Sequence, residues 1–275
     1  MRSWNAFLAA GVTAALLVGG PLAAEEPFII VQSTTSTQNS GLYEHVLPLF
    51  EAESGIDVRV VAVGTGQALK NAGNCDGDVL LVHAKPAEEA FVAAGKGVTR
   101  TDLMYNDFVI VGPKADPAGV AGMGDAVAAL TKIAGAGAPF ASRGDDSGTN
   151  KKEMALWKAS GIDPTAKSGT WYRETGSGMG ATLNVGVGMG AYVLTDRATW
   201  ISFGNKGDSE ILVEGDPLLF NQYGVILVSP QACPNVKAEL GQRFIDWLLS
   251  PAGQAAIAGY RVEGQQLFTP NAPKS

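Results

Sequence analysis

One arginine stands among aspartates, glycines and hydroxyls at residues 141–149, Ala-Ser-Arg-Gly-Asp-Asp-Ser-Gly-Thr. Side chains of these types hold anions. Arg143 offers five N–H donors in a rigid fork and a charge that does not titrate, and Ser147 and Thr149 add hydroxyls. A short apolar run precedes the stretch and a helical pattern, Lys152 to Ser160, follows it. The loop therefore enters a helix N-terminus, where unpaired N–H groups and the positive end of the helix dipole attract negative charge. Capping explains part of the same composition: Ser147 or Thr149 can cap the helix, and Asn150 with Glu153 three residues on reads as a capping box. Capping does not call for an arginine. Asp145 and Asp146 read as braces for Arg143 or as turn caps.

A second loop has the same character. Phe28 to Gln32 is a β-rich run, Ser33 to Asn39 a polar Ser/Thr turn, and Leu42, Val46, Leu47 and Phe50 then recur at helical spacing until Gly55. Pro48 inside that pattern predicts a kink. Two such loops, each between a strand and a helix, can aim two helix N-termini at one ligand. That arrangement suits a small tetrahedral oxyanion enclosed by donors.

The elements that must position these loops follow a strand-loop-helix rhythm. Val58 to Val63 runs into Gly64-Thr65-Gly66-Gln67-Ala68-Leu69, and Val79 to Val82 into a helix with Pro86 at its start. Such units build a parallel sheet with the loops after the strands on one edge, where ligands bind. Two extended runs break the rhythm, Met104 to Pro113 and Phe220 to Pro230. Between them lies a second α/β set: the Arg143 loop, Trp171 to Glu174, the glycine turn Gly176 to Gly180 with a helix from Ala181, and Ala191 to Thr195. The two runs read as crossings between two lobes. Residues 25–110 with 225–275 form the first lobe and 111–224 the second. After the second crossing, Leu240, Phe244, Trp247 and Leu248 mark an amphipathic helix and Ser250-Pro251 starts another, both read as packing.

Composition narrows the function. The chain has 275 residues, a 46% hydrophobic content and a formal charge of −7, which argues against nucleic acid or an anionic membrane as partner. An acidic protein that binds an anion does so with locally aimed donors. Arg2, the apolar stretch Ala6 to Val18 and the small residues Ala23-Ala24 read as a secretory signal cleaved near Ala24, although Leu22 is an imperfect residue for that site. Residues 1–24 are thus a signal peptide too short to span a bilayer. Cys75 and Cys233 then meet an oxidising compartment, as one bridge or as two thiols. Neither has a histidine or carboxylate at metal-ligand spacing, so no metal site is expected. There is no G-x-S-x-G elbow and there are only two histidines, so nothing activates a nucleophile; a secreted phosphatase or hydrolase is the weaker alternative.

Nearly the whole mature chain resembles a known family, the tungstate-binding proteins of bacterial ABC importers, which have the two-lobed type II periplasmic-binding-protein fold. The stretches that carry the likeness are Ser33 to Gln38, Gly64 to Leu69, Leu80 to Ala84, Met104 to Pro113, Ser142 to Thr149, Gly178 to Leu183 and Val213 to Pro217. The Arg143 loop is also similar to the anion loop of phosphate-binding proteins. The resemblance implies an α/β fold with the ligand cleft between lobes joined by two crossing strands, and a periplasmic, monomeric protein without cofactor. It implies tungstate as ligand, with molybdate as a close analogue, and a membrane permease subunit as partner; a phosphate- or sulfate-binding protein is the alternative. It further implies that Thr34, Thr35, Ser36, Thr65, Arg143, Ser147, Gly148 and Thr149 contact the oxyanion, with the Met179-Gly180 turn as a weaker backbone donor. Asn150 stands where the family often has a histidine. His83 reads as a structural imidazole or a ligand contact, and Asp196 with Arg197 as a latch between lobes or a surface pair. Because this donor set holds no group that titrates near neutrality, binding is expected to be nearly flat with pH.

Overall fold

The computed structural model describes residues 27–273 and Met1, so the expected signal segment and its cleavage point near Ala24 lie outside the described residues. Three strand-helix units open the fold: β1 (Phe28–Thr34) leads to α1 (Thr35–Asn39) and α2 (Leu42–Ser54), β2 (Asp57–Val63) to α3 (Thr65–Gly73), and β3 (Val79–Val82) to α4 (Lys85–Ala93). β1 lies between β2 and β3, parallel to both, so the turns that follow the three strands share one sheet edge. The segment read as a polar turn is more regular than that. β1 continues to Thr34, and Thr35–Asn39 is already helical because Thr34 caps it, its Oγ1 accepting from Thr37 N at 3.2 Å. Helix α2 passes through Pro48 unbroken. Pro48 is on the exposed side, where the carbonyl it leaves unpaired is free to reach water. Gly55, left-handed at φ 69°, ends the helix.

β4 (Gly97–Pro113) then carries the chain into a second set: α5 (Ala126–Ala136), β5 (Phe140–Ser142), α6 (Gly148–Ser160), β6 (Tyr172–Glu174), α7 (Met179–Met189), β7 (Val193–Asp196), α8 (Arg197–Ser202) and β8 (Ser209–Val213). β9 (Phe220–Val228) returns to the first set, followed by α9 (Ala238–Leu249), α10 (Pro251–Gly259) and the short strands β10 (Arg261–Val262), β11 (Gln265–Gln266) and β12 (Thr269–Pro270). β4 is the long element of the fold, at 17 residues. Its first part pairs antiparallel with β9 as far as Asp107 opposite Phe220, and from Phe108 onward it pairs with β7 and β8.

The packing shows why the strands read as continuous apolar runs. On β3 and β9, Val79, Leu81, Val225 and Leu227 join one buried cluster with Phe50, Phe244 and Trp247, while Leu80, Val82, Ile226 and Val228 join another on the opposite face with Ala68, Phe91 and Cys233. The second set repeats this: Phe108, Ile110 and Leu194 pack with Phe140, Trp157 and Tyr192, whereas Val109, Val111 and Val193 pack with Met179, Leu183 and Trp200. Sheets covered on both faces need apolar residues at every position. On β4 the core changes hands between Met104 and Phe108. Helix α8 is an exception, since Ala198 and Ile201 pack into the first cluster. Cys75 and Cys233 are joined in a disulfide, tying the turn after α3 to the segment after β9.

Candidate functional site

The loop between β5 and α6 turns Arg143 inward, and the side chain is only 1% exposed. Two left-handed residues make that turn possible, Gly144 at φ 59° and Asp146 at φ 57°. Arg143 Nη1 donates to Ser36 Oγ at 3.2 Å and Nη2 to Thr35 Oγ1 at 3.1 Å, so the guanidinium spans from the second strand set to the N-terminus of α1. Nε and Nη2 also reach Asp145 Oδ2, at 3.1 and 2.6 Å, while Asp145 Oδ1 accepts from Ser147 N at 3.2 Å. Asp145 therefore braces the arginine, with both carboxylate oxygens already accepting bonds from its own loop. Asp146 faces the other way, pairing with Lys151 at the surface.

Of the sequence-selected residues, Thr35, Ser36 and Arg143 are in direct contact. Ser147 is the N-cap of α6, its Oγ accepting from Asn150 N at 3.1 Å. Gly148 N donates to Thr65 Oγ1 at 2.9 Å, which joins the start of α6 to the start of α3. A Cβ on Gly148 would lie 3.0 Å from Thr65 Oγ1 and 3.2 Å from His83 O, so any side chain here would push these neighbours apart by a few tenths of an ångström. Thr34 is placed differently: its hydroxyl is turned to Thr37. Thr149 Oγ1 is buried and has no hydrogen-bond partner. The Met179-Gly180 turn opens α7 beside α1, with the site of a Gly178 Cβ 3.4 Å from Thr35 Oγ1.

The capping-box reading of Asn150 and Glu153 does not hold. Ser147 is the cap, and Glu153 lies one turn further, on the buried side of α6, where it accepts from Ser142 Oγ, Tyr172 OH and Trp157 Nε1 at 2.8, 2.7 and 3.1 Å. Burial pushes its carboxyl up to about 7, opposed by those three bonds. Asp196 and Arg197 do not pair with each other. Asp196 is the buried cap of α8, its carboxyl raised by burial and held by Thr199 and by the charge of Arg143. Arg197 instead pairs bidentately with Asp107 at the crossing, both contacts 2.6 Å, and with Glu214 at 2.7 Å.

Sequence reasoning missed two further groups. Thr199 Oγ1 donates to Ser36 O at 3.1 Å, closing the second set over α1; nothing near Thr199 in the chain signals it. Where the two long strands meet, Asn221 Nδ2 donates to Asn106 Oδ1 at 2.7 Å, which leaves Asn221 Oδ1 to accept from His83 Nδ1 at 3.0 Å. His83 is stacked on Tyr223, and burial holds its imidazole down to about 4, so it is neutral with Nε2 bare and unpartnered. The hint in the sequence was one asparagine in each crossing run, Asn106 and Asn221, shortly before the apolar block that ends the run.

A cleft of about 690 Å³ opens between the two sets, lined by His83, Lys85, Gly148, Lys151, Lys152 and Phe220 among others. Of the eight residues expected to contact the oxyanion, only Gly148 lines it, and His83 is the other sequence-selected residue on its wall; Arg143 and the hydroxyls are enclosed behind it. The enclosed shell groups its donors at short range, whereas on the cleft wall Lys151 is paired with Asp146 and Lys152 with the Leu218 and Phe220 carbonyls. The shell's one cation is balanced by Asp145, so attraction comes from N–H and O–H groups aimed at short range.

Comparison with known proteins identifies the family of the chain. Residues 21–252 match the PBP superfamily domain. The tungstate-binding protein TupA of Peptoclostridium acidaminophilum is 49% identical over 250 residues, spanning 90% of this chain and 86% of that protein. Among solved structures, the tungstate-binding protein TupA from Desulfovibrio alaskensis G20 is 52% identical with a TM-score of 0.74, covering 90% of this chain and 100% of that one. The structure of the tungstate ABC transporter from Geobacter sulfurreducens is 49% identical with a TM-score of 0.77, covering 85% and 98%.

Proposed function

Because the chain belongs to the PBP superfamily and, within it, to the TupA family, we propose that it is an extracytoplasmic solute-binding protein that captures tungstate between its lobes and hands it to the permease of an ABC importer. Molybdate, of nearly the same size and charge, is bound by the same shell. The lobes of this reading are residues 25–110 with 225–275, and 111–224; the change of core along β4 between Met104 and Phe108 supports a boundary close to the first of these limits. The protein acts as an exported, periplasmic monomer, and it changes no covalent bond.

The contact of Arg143 with the Thr35 and Ser36 hydroxyls carries the proposal. Both hydroxyls accept from the guanidinium, so each has its own proton to donate elsewhere. An entering dianion accepts hydrogen bonds from those two hydroxyls and from the Nη donors of Arg143, and meets the Thr149 hydroxyl and the α6 N-terminus formed by Ser147 and Gly148. Thr34 and Thr65 complete the rim, Thr34 by capping α1 and Thr65 by holding Gly148.

Selectivity follows from what the shell lacks. Monohydrogen phosphate needs an acceptor for its proton, and Asp145 is occupied by Arg143 and Ser147 N. Sulfate carries no proton but is smaller, so donors fixed on two lobes are too far from its oxygens to compensate their desolvation. Competition calorimetry with tungstate, molybdate, phosphate and sulfate tests the reading. Tungstate and molybdate should bind far more tightly than the other two; phosphate or sulfate binding as tightly as tungstate refutes it.

A further inference from the structure

Glu153 is a buried carboxyl that capture of the anion does not use directly, yet hydrogen bonds link it to both ends of the Arg143 loop, to Ser142 at the start and through Asn150 to Asp146 and Ser147 at the end. Ser142 Oγ donates to its Oε2 at 2.8 Å and accepts from Asn150 Nδ2 at 3.4 Å. Asn150 in turn accepts from Asp146 N through Oδ1, at 3.2 Å, and donates its own N–H to the cap Ser147. The chain Glu153, Ser142, Asn150, Asp146 thus closes a ring around Arg143 and the first turn of α6, and its far end is fixed by Tyr172 and Trp157. We propose that Glu153 is a positioning residue for the oxyanion site, and that its negative charge, when present, opposes entry of a dianion, so that capture is coupled to uptake of a proton by Glu153. The inference rests on the oxyanion-binding reading above.

The hydrogen bonds explain how the two states differ. As a carboxylate, Glu153 takes donors only, and Ser142 must point its proton at Oε2. Once protonated, Glu153 can donate to Ser142 Oγ, which releases the serine proton within the loop. Atoms balance with one proton taken from solvent and none from the anion. The carboxyl, raised to about 7 by burial, has both states within reach near neutral pH. Few other ionisable groups face it. Tyr172 and Glu174 approach from β6, Arg143 follows its partner Ser142 on β5, and Asp196 on β7 turns its carboxyl to Thr199. The buried residues of α5 are Ala126, Ala129, Leu130 and Ile133, and those of α6 around it are Thr149, Leu156 and Trp157. A dianion nearby raises the Glu153 pKa further. By linkage, binding then takes up protons and weakens as pH rises above the free-state value, in place of the flat profile expected from the donor set alone, which did not include Glu153.

The experiment is calorimetric titration of the mature wild-type protein with tungstate from pH 6 to 8.5, at each pH in buffers of different ionisation enthalpy, beside Glu153→Gln. Wild type should take up a fraction of a proton, up to one, and lose affinity by up to about tenfold per pH unit above roughly pH 7.5. Glu153→Gln, which keeps an acceptor for Tyr172 and Trp157 but no charge, should bind about as well as wild type at pH 6, with a flat profile and no proton uptake. Wild-type binding that is flat with pH and takes up no proton overturns the inference and leaves the tungstate reading intact. A Glu153→Gln profile as steep as wild type overturns it too. Should the glutamine variant fail to fold, wild-type proton uptake alone decides. Absence of tungstate binding at every pH refutes the tungstate reading, and this inference with it.

Discussion

The two loops that meet at the site do the same job with different means. The β1–α1 loop has no charge: the strand passes straight into a five-residue helix, and its hydroxyls are arranged by bonds to their own neighbours, Thr34 to Thr37 and Ser40 to the carbonyl of Thr37. The β5–α6 loop carries the only arginine of the shell, needs two left-handed residues to turn it inward, and is held by Asp145, Asn150 and the buried Glu153. One loop is prearranged by contacts three residues apart. The other is prearranged by a network that reaches from β5 through α6 to β6. A hydroxyl anchor is cheap to hold in place, whereas a buried cation must be balanced and fixed before it is useful. The charged loop should therefore be much the more sensitive of the two.

Replacing Arg143 with alanine should show the largest effect, a loss of about 2–5 kcal/mol of tungstate binding, as expected when one side of a buried charged contact is removed. Stability of the empty protein should move less, because Asp145 Oδ2, which loses both Arg143 donors, is partly exposed and can be reached by water. Calorimetry with thermal unfolding separates the two quantities, and near-native affinity removes Arg143 from the site. Next comes Gly148→Ala, which probes where the loops close. The added methyl meets Thr65 Oγ1 and the His83 carbonyl across the lobe junction, so about 1–3 kcal/mol of binding should be lost to crowding, with little change in the unfolding temperature. Unchanged affinity would mean that the bound form does not need this approach. The smallest effect belongs to the uncharged loop: Ser36→Ala removes one hydroxyl and should cost about 0.5–1.5 kcal/mol of binding. A loss equal to that of Arg143→Ala would erase the contrast between the loops.

Much of this was legible in the sequence because it depends on short-range chemistry. Alternation of strand and helix, the turn at Gly55, the capping serine before α6 and the two long crossing runs follow from side-chain type and spacing within about a dozen residues. Arg143 stood out for the same reason: an arginine in a glycine-rich loop before a helix has few structural uses. Tertiary structure decided the partners. Asp107 and Glu214 belong to Arg197 only because β4 places Asp107 next to the end of β7 and β8 delivers Glu214 beside them. Glu153 looked like a cap by its distance from Asn150, but the phase of α6 points it at Ser142 and Tyr172, and burial there turns an ordinary surface glutamate into a raised carboxyl. Ser36 and Thr199, 163 residues apart, meet for a like reason. Local pattern specifies which backbone conformation a segment adopts, while the identity of a long-range partner depends on how whole sheets and helices dock, a free energy spread over buried area that no short motif encodes.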